Sequence, residues 1–573
     1  MTGGFDTRVL GADVRSRDPL RPLAAGLLLV LISAVFYRRE LTRDLDRALA
    51  VVRARSSLLA GLLVAAVAAH GIVFGTFSVG GSDAYGYVNQ AYDWLDGALP
   101  QAIPLTERLP FDVSDRMQSP LGYREGPRPQ TIVPTYAPGL PLTMALVLAV
   151  FGPCAPFLVS PLAAALFVWL TFRLGARAGG STVGLAAAIL VSVSPVVLYQ
   201  TVWPMSDVPA AASWTGAALL ALRPLRRHAL AAGLLTALGL LIRPNLLPVA
   251  LLLALPIVQQ GSRRERLVRL IVFGVPIAGA AVFTAWLNAL WFGSPLNSGY
   301  GAASELYAWA NVGPNLRLYG TWLRQSQTAW MLLALLPIVP ALRRALDGRT
   351  LAIGVLLLTG VLACYVGYAQ FEIWWYLRFL LPAFGALMVL VAAGLVGIAR
   401  LVAKPFGTIA GVVVLLIISA SCLSFAERAG TFGRVRENER RYAVVGSFAA
   451  SLPDNAALIA VQHSGSVRFY TGRLTVRFDA LEYPRSQELV PALERLGRRP
   501  FLIVDDAETA SVRTHFGIPE DAPLPWRIRA RMRELGGVTV YDMSTSPSSD
   551  APVALEPTGS GWCDAPRRAP VQR

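Results

Sequence analysis

The sequence predicts an α-helical polytopic membrane protein of about 11–12 transmembrane helices, followed by a small C-terminal α/β domain on the extracytoplasmic side. Three observations predict it. Apolar stretches of helical length fill the chain from Pro22 to Ser424, short arginine-rich loops separate alternate pairs of them, and beyond Ser424 the pattern shifts to short strand-like and amphipathic segments. The composition agrees: 54% of the 573 residues are hydrophobic and 15% charged, where soluble domains carry about 25% charged residues. Mean hydropathy is +0.50.

The net charge of +16 is spread over short loops rather than gathered on one face, which argues against nucleic acid as a partner and reads as a topology signal. Lys404 is the sole lysine. Cys154, Cys364, Cys422 and Cys563 have no CxxC spacing, so neither a metal pair nor a disulfide framework is expected. The amino end is Arg-flanked but lacks a small-residue cleavage site, which argues against a cleaved signal.

Because a helix rises 1.5 Å per residue through about 30 Å of hydrocarbon, spans of about 17–25 apolar residues are expected. Twelve segments qualify, some of them short: Pro22 to Tyr37, Ser56 to Val79, Pro156 to Leu174, Val183 to Tyr199, Val208 to Leu222, His228 to Leu241, Leu246 to Val258, Leu270 to Leu290, Thr328 to Leu342, Leu351 to Tyr368, Phe379 to Ile398 and Phe406 to Ser424. The first is short and basic on both sides, so it crosses or lies in the interface. Arg243-Pro244-Asn245 predicts two spans meeting at a polar turn, since proline removes a backbone donor. The dozen apolar residues after Pro138-Gly139-Leu140-Pro141 are too few to span and predict a juxtamembrane helix.

Loops held in the cytoplasm are enriched in Arg and Lys. Six alternate loops qualify: Arg38 to Arg55, Arg173 with Arg177, Arg223 to Arg227, Arg263 to Arg269, Arg343 to Arg349, and Arg400 with Lys404. The loops between them are then outside, among them 80–138, the Arg243 turn, 370–378 and everything past Ser424. The expected organisation is 1–55 as an N-terminal segment, 56–424 as the membrane domain, 425–544 as the soluble outer domain, and 545–573 as a disordered Ser, Pro and Arg-rich tail. Within the outer domain, Glu437 to Leu452 and Ser486 to Leu496 predict helices, and Ala457 to Val461, Leu474 to Phe478, Phe501 to Asp505 and Val538 to Tyr541 predict strands.

In this setting several segments resemble, in order, the motifs of the polytopic GT-C glycosyltransferases related to protein O-mannosyltransferases and aminoarabinose transferases. Ser82-Asp83-Ala84-Tyr85-Gly86-Tyr87 is similar to the family's acidic motif in the first outer loop. Tyr136-Ala137-Pro138-Gly139-Leu140-Pro141-Leu142 with Phe151-Gly152 resembles its juxtamembrane helix, and Met205-Ser206-Asp207-Val208-Pro209 with Leu241-Ile242-Arg243-Pro244 its central spans. Arg378-Phe379-Leu380-Leu381-Pro382 resembles its Arg-Tyr-Leu-Leu-Pro element. The resemblance covers about Ser56 to Ile398 and rests on order and spacing, each motif being weak alone. One departure is that Asp83 is followed by Ala84, where many relatives carry two adjacent carboxylates.

The resemblance implies a cell-membrane enzyme that moves a sugar from a polyprenyl-phosphate donor to an extracytoplasmic acceptor with inversion. Such chemistry needs a base for the acceptor hydroxyl and a cation for the departing phosphate. Asp83 is the candidate base, against the alternative of a solvated loop acid. Arg243 and Arg378 are candidate donor-phosphate clamps, because guanidinium stays charged and grips oxygens in pairs; Arg378 could equally snorkel in an aromatic belt. Tyr85, Tyr136, Asp207 and Glu372 are candidate substrate contacts, although Asp207 before Pro209 reads first as a helix cap. Gln462-His463-Ser464-Gly465-Ser466 reads equally as an acceptor site or as caps and turns, and Asp505-Asp506 as a solvated pair.

No His or carboxylate spacing suits a tightly bound metal, so none and no cofactor is expected, with weak divalent dependence left open. Expected partners are the lipid-linked sugar donor, membrane lipids, and an acceptor that is a glycan, lipid or protein. Two rival readings are a transporter or flippase for lipid-linked sugars, whose mark would be internal repetition with broken helices in matching halves, and a noncatalytic scaffold. No such repetition is visible in the sequence.

Overall fold

An apolar chain lies in lipid only if its backbone groups are satisfied internally, and helices do this. The computed structural model describes residues 5–9, 12–16, 25–26, 29, 32, 36–259, 261–343, 346–534, 536–547, 549–556 and 568. The expected first span, Pro22 to Tyr37, lies mostly outside the described residues. The principal helices are α1 (Arg38–Ala54), α2 (Ser56–Val73), α3 (Asp83–Asp96), α4 (Gly139–Phe151), α5 (Ala155–Gly179), α6 (Ser181–Ser192), α7 (Pro195–Thr201), α8 (Asp207–Ala221), α9 (Arg226–Ile242), α10 (Leu247–Val258) and α11 (Arg263–Phe292). After these come α12 (Gly348–Val366), α13 (Leu381–Leu401), α14 (Phe406–Arg428), α15 (Arg434–Ala450) and α16 (Ser464–Thr471).

Among the described residues six helices are long and apolar enough to cross a membrane: α2, α5, α11, α12, the run Trp374–Leu401 that contains α13, and α14. The pair α6 and α7, bent by 60° where Pro195 begins the second helix, is either a seventh, broken span or a re-entrant loop. The protein is therefore a multi-pass membrane protein. The remaining expected spans form shorter helices for physical reasons. In α8 nearly every residue is buried, so this Ala-rich helix is wrapped by neighbours and needs no lipid-length apolar surface. Pro244 ends the path of α9, and a 3-10 turn at Pro244–Leu246 starts α10, so the Arg243 segment is a break between two helices. Ala329–Ile338 is a 3-10 segment holding Pro337.

The basic loops gather at one end of the bundle. Arg53 donates to Thr182 Oγ1 at 3.4 Å, Lys404 meets Asp46 at 2.6 Å, and Arg177 lies 3.8 Å from Asp347. Arg226 pairs with Glu265 at 2.8 Å, and Arg269 donates to the Arg223 carbonyl at 2.8 Å. Arg177 also donates to the Leu222 carbonyl at 3.3 Å, beside Arg223, so the six loops share one connected set of contacts in which Asp347 stands for the Arg343–Arg349 loop.

The opposite end carries the first outer loop and the soluble domain. A hairpin of β1 (Phe5–Val9) and β2 (Ala12–Ser16) precedes the membrane region, and β3 (Gln101–Ala102), β4 (Tyr123–Glu125) and β5 (Thr131–Pro134) make a small antiparallel sheet in the loop. The outer domain adds β6 (Ala456–Ile459), β7 (Thr475–Val476), β8 (Arg499–Asp505), β9 (Arg527–Met532), β10 (Val538–Asp542) and β11 (Val553–Ala554) in the order β11-β9-β10-β8-β6-β7. Strand β9, Arg-Ile-Arg-Ala-Arg-Met, escaped sequence reading because its alternation buries only Ala530 and Met532. The expectation of a disordered tail from 545 is corrected in part: β11 pairs in parallel with β9, Val553 opposite Ala530. Cys154 is disulfide-bonded, a bond that the spacing of the cysteines did not reveal.

The outer domain rests on the first outer loop rather than hanging from α14. Leu109, Phe111 and Met117 of the loop share a buried cluster with Leu474, Val476 and Phe478. The Arg477 amide donates to the Met117 carbonyl at 2.6 Å, and the Val79 amide to Tyr470 Oη at 3.1 Å. Gly80 faces the Tyr442 ring so closely that a Cβ there has no room.

Candidate active site

Asp83 opens α3, where the helix N-terminus favours a carboxylate. Its Oδ1 accepts a hydrogen bond from Tyr136 Oη at 2.6 Å, and Ser82 Oγ, 2.7 Å from Tyr136 Oη, donates in turn to that phenol. Gly86 makes this possible, because a side chain there would collide with the Tyr136 ring. Arg378 Nη1 donates to Asp83 Oδ2 at 3.1 Å and lies 4.0 Å from Asp207 Oδ2. Arg243 donates to Asp207 Oδ1 through Nη2, and to Tyr365 Oη through Nη1 at 2.9 Å. Tyr365 Oη donates onward to Asn245 Oδ1 at 3.3 Å. Four charges from four separated segments therefore form one continuous chain.

Burial makes this arrangement costly unless it is paired. Asp207 is 1% exposed and Arg243 9%, and each isolated charge would cost several kcal/mol in such a place. Asp207 is met by both guanidiniums, which replaces the cap reading: its carboxylate faces Arg243, and Ser206, the residue at the cap position, makes no side-chain cap bond. Arg243 is the more tightly committed cation, and Arg378 the looser one. Arg378 Nε has no hydrogen-bond partner among the described residues and is covered by its neighbours. Tyr376 and Phe379 hold its head from the side, at 5.0 and 5.7 Å from their ring centres.

Asp83, Tyr136, Arg243 and Arg378 line a single cavity of about 1590 Å³. That exceeds the roughly 300–1,000 Å³ of a pocket for one small ligand. Three kinds of wall meet there. Leu247, Pro248, Leu252, Ala281, Ala285, Gly360 and Ala363, from α10, α11 and α12, make an apolar fissure. Tyr199, Trp203 and Trp375 make an aromatic wall. Glu439, Arg441, Tyr442 and Gln462 come from the outer domain.

The other sequence candidates lie elsewhere. Tyr85 is fully buried against Tyr123 and Gly465, on the side of α3 that faces the outer domain, and Glu372 is exposed; neither lines the cavity. Asp207 sits behind the two arginines. In the outer domain, Gln462 reaches the cavity, but His463 is buried and bonded to Asp505 at 2.7 Å. Asp505 also meets Arg441 at 3.5 Å, so the expected solvated Asp505-Asp506 pair is in fact half internal. Among the described residues no three His, Cys, Asp or Glu side chains gather as a metal site.

Sequence reading missed Tyr365, Glu439 and Arg441. Tyr365 lies in an apolar span with nothing to mark it. Glu439 and Arg441 stand in Arg434-Val435-Arg436-Glu437-Asn438-Glu439-Arg440-Arg441, which reads as a solvated helix face.

No family model matches the sequence, and no curated protein matches it. The fold does have solved counterparts. ArnT from Cupriavidus metallidurans bound to undecaprenyl phosphate superposes with a TM-score of 0.50 at 13% identity, over 85% of this chain and 99% of that one. The oligosaccharyltransferase from Archaeoglobus fulgidus in its apo form gives a TM-score of 0.51 at 13% identity, over 86% of this chain and 75% of that one. These likenesses establish a GT-C-like fold.

Proposed function

We propose that this chain is a membrane glycosyltransferase that takes a sugar from a polyprenyl-phosphate donor and transfers it, with inversion, to an acceptor hydroxyl. One observation carries the reading: a carboxylate and a guanidinium stand one hydrogen bond apart, Asp83 to Arg378, at the polar head of a cavity that continues into an apolar fissure. The fissure between α10, α11 and α12 suits an isoprenoid tail, and the Arg378 guanidinium at its head suits the phosphate. Asn245 and Tyr307, joined at 3.5 Å, stand at the same mouth. The neighbour that was solved with undecaprenyl phosphate supports a lipid-linked donor.

In the reaction, the acceptor oxygen attacks the anomeric carbon from the face opposite the phosphate. The hydroxyl proton passes to Asp83, the bond from the anomeric carbon to the phosphate oxygen breaks, and its electron pair leaves with the phosphate. Arg378 stabilises that charge, with Arg243 behind it through Asp207. Inversion follows from the single displacement. Tyr136, donating to Asp83 Oδ1, turns the carboxylate so that its other oxygen meets Arg378 and the incoming group.

The arginine-rich end supports a cytoplasmic position for that face and an extracytoplasmic one for the site, in the cell membrane. The test is transfer from lipid-phosphate-linked sugars by purified protein. Asp83→Asn is expected to lower turnover by about 10²–10⁴-fold, the size of a lost general base, while donor binding persists. Unchanged turnover removes Asp83 from the mechanism, and vectorial lipid movement without transfer replaces the enzyme with a flippase.

A further inference from the structure

The outer-domain wall of the cavity is not used by the chemistry above. Glu439 of α15 is 6% exposed, lines the cavity, and has no hydrogen-bond partner among the described residues. A buried carboxylate in that condition is unusual, because buried polar groups are nearly always bonded. Arg441 stands on the same cavity lining, its Nη2 donating to Tyr442 Oη at 3.1 Å. The rings of Tyr199 and Trp375 line it too, stacked at 5.6 Å and 15°, with Trp203 6.0 Å from Tyr199.

This wall adjoins the reacting groups. Gln462 Nε2 donates to Tyr442 Oη at 2.9 Å, and the backbone of Gly80 and Gly81, three and two residues before Asp83, lies directly against Tyr442 and Gln462. Gly81 has φ of +59°, which lets the chain turn here. Arg441 is braced from behind by Asp505, which also holds His463. The surface is therefore a fixed one, with a carboxylate, a guanidinium and flat aromatic faces lining one cavity.

We infer that Glu439, Arg441, Trp203 and the Tyr199–Trp375 pair form the acceptor subsite, and that the acceptor is a carbohydrate whose ring lies on the aromatic wall with its hydroxyls on Glu439 and Arg441. A sugar ring offers an apolar C–H face and a rim of hydroxyls that both donate and accept, the complement of what this wall presents. An extended peptide would instead need a row of free backbone partners, and the wall is built of side chains. The inference rests on the glycosyltransferase reading, which supplies the donor on the other side of Asp83.

The experiment measures binding to the detergent-solubilised full chain by saturation-transfer NMR. The probes are methyl α-mannopyranoside, methyl β-galactopyranoside, methyl α-arabinofuranoside and the peptide acetyl-Ala-Thr-Ala-amide, with undecaprenyl phosphate binding followed in parallel. At least one glycoside is expected to bind and the peptide not to. Glu439→Gln, which keeps size, should weaken that glycoside about tenfold or more, as losing a charged hydrogen-bond partner does. Trp375→Ala should weaken it about fivefold or more. Both variants should hold undecaprenyl phosphate as the wild type does, which also shows that they are folded. Binding of the peptide alone, of no probe, or of a glycoside with equal strength in both variants overturns the carbohydrate acceptor while intact lipid-phosphate binding leaves the enzyme reading standing. Loss of lipid-phosphate binding by the wild type strikes the enzyme reading itself.

Discussion

At Glu439 the structure ties burial to a measurable pH effect. Burial pushes its carboxyl from 4.5 up to about 7, against the opposing pull of Arg441, with Asp505, Tyr442, Tyr199 and Tyr470 as its other charged or titratable neighbours. A raised acid pKa means the folded state holds the proton longer than the unfolded chain. The associated stability is complete below about pH 4.5 and is lost as pH rises to about 7. The span corresponds to roughly 3 kcal/mol. Glu439→Gln should abolish this slope, so that its melting temperature gains on the wild type between these limits; a constant difference across them contradicts the assignment. Arg243 tests the opposite case. Arg243→Ala leaves Asp207 buried with only the distant Arg378, and should destabilise by about 3–5 kcal/mol, whereas Asp207→Ala with Arg243→Ala should restore much of it in denaturation assays. Of these residues Arg243, Arg378, Asp207 and Asp505 stood out in the sequence, Asp505 only as a solvated acid. Asp207 looked like a cap because a carboxylate at the start of a helix satisfies that rule, and its true partner is 36 residues away.

At the scale of elements, the juncture of α4 with α9 sets the position of Arg243. A Cβ on Gly139 would meet the Ile242 amide nitrogen and the Leu241 carbonyl carbon, each at 2.5 Å, and both are backbone atoms that cannot swing aside. Gly139→Val should therefore push the end of α9 away, cost about 1–3 kcal/mol, and weaken undecaprenyl phosphate binding; unaltered binding would show that Arg243 tolerates the shift. The apolar helices were legible because length and hydropathy alone mark them, as in α2, α5, α11 and α14. The short enclosed ones were legible as apolar segments but not as non-spanning. What shortens them, the enclosure of α8 or the break after α9, depends on neighbours far along the chain. In the outer domain, strands rich in Val, Ile and Phe were readable, while β9 was hidden by three arginines on its outward positions.

For the whole molecule, the arginine count predicted which loops share a face, and the contacts among Arg53, Arg177, Arg226, Arg269 and Lys404 place them at one end. The three ionised residues singled out from their motifs, Asp83, Arg243 and Arg378, gather at the other. The outer domain was readable as a separate soluble unit, but not as a wall of the cavity. Its contribution depends on α15 folding back over Gly80, an approach that a solvated-looking helix does not announce. Arg378 is proposed to hold the phosphate of a polyprenyl lipid at that end, and native mass spectrometry of the purified protein with undecaprenyl phosphate tests this most directly. The wild type should retain one lipid phosphate, and Arg378→Ala should bind it about tenfold or more weakly, in line with a charged hydrogen bond lost; equal retention by the two proteins contradicts the account.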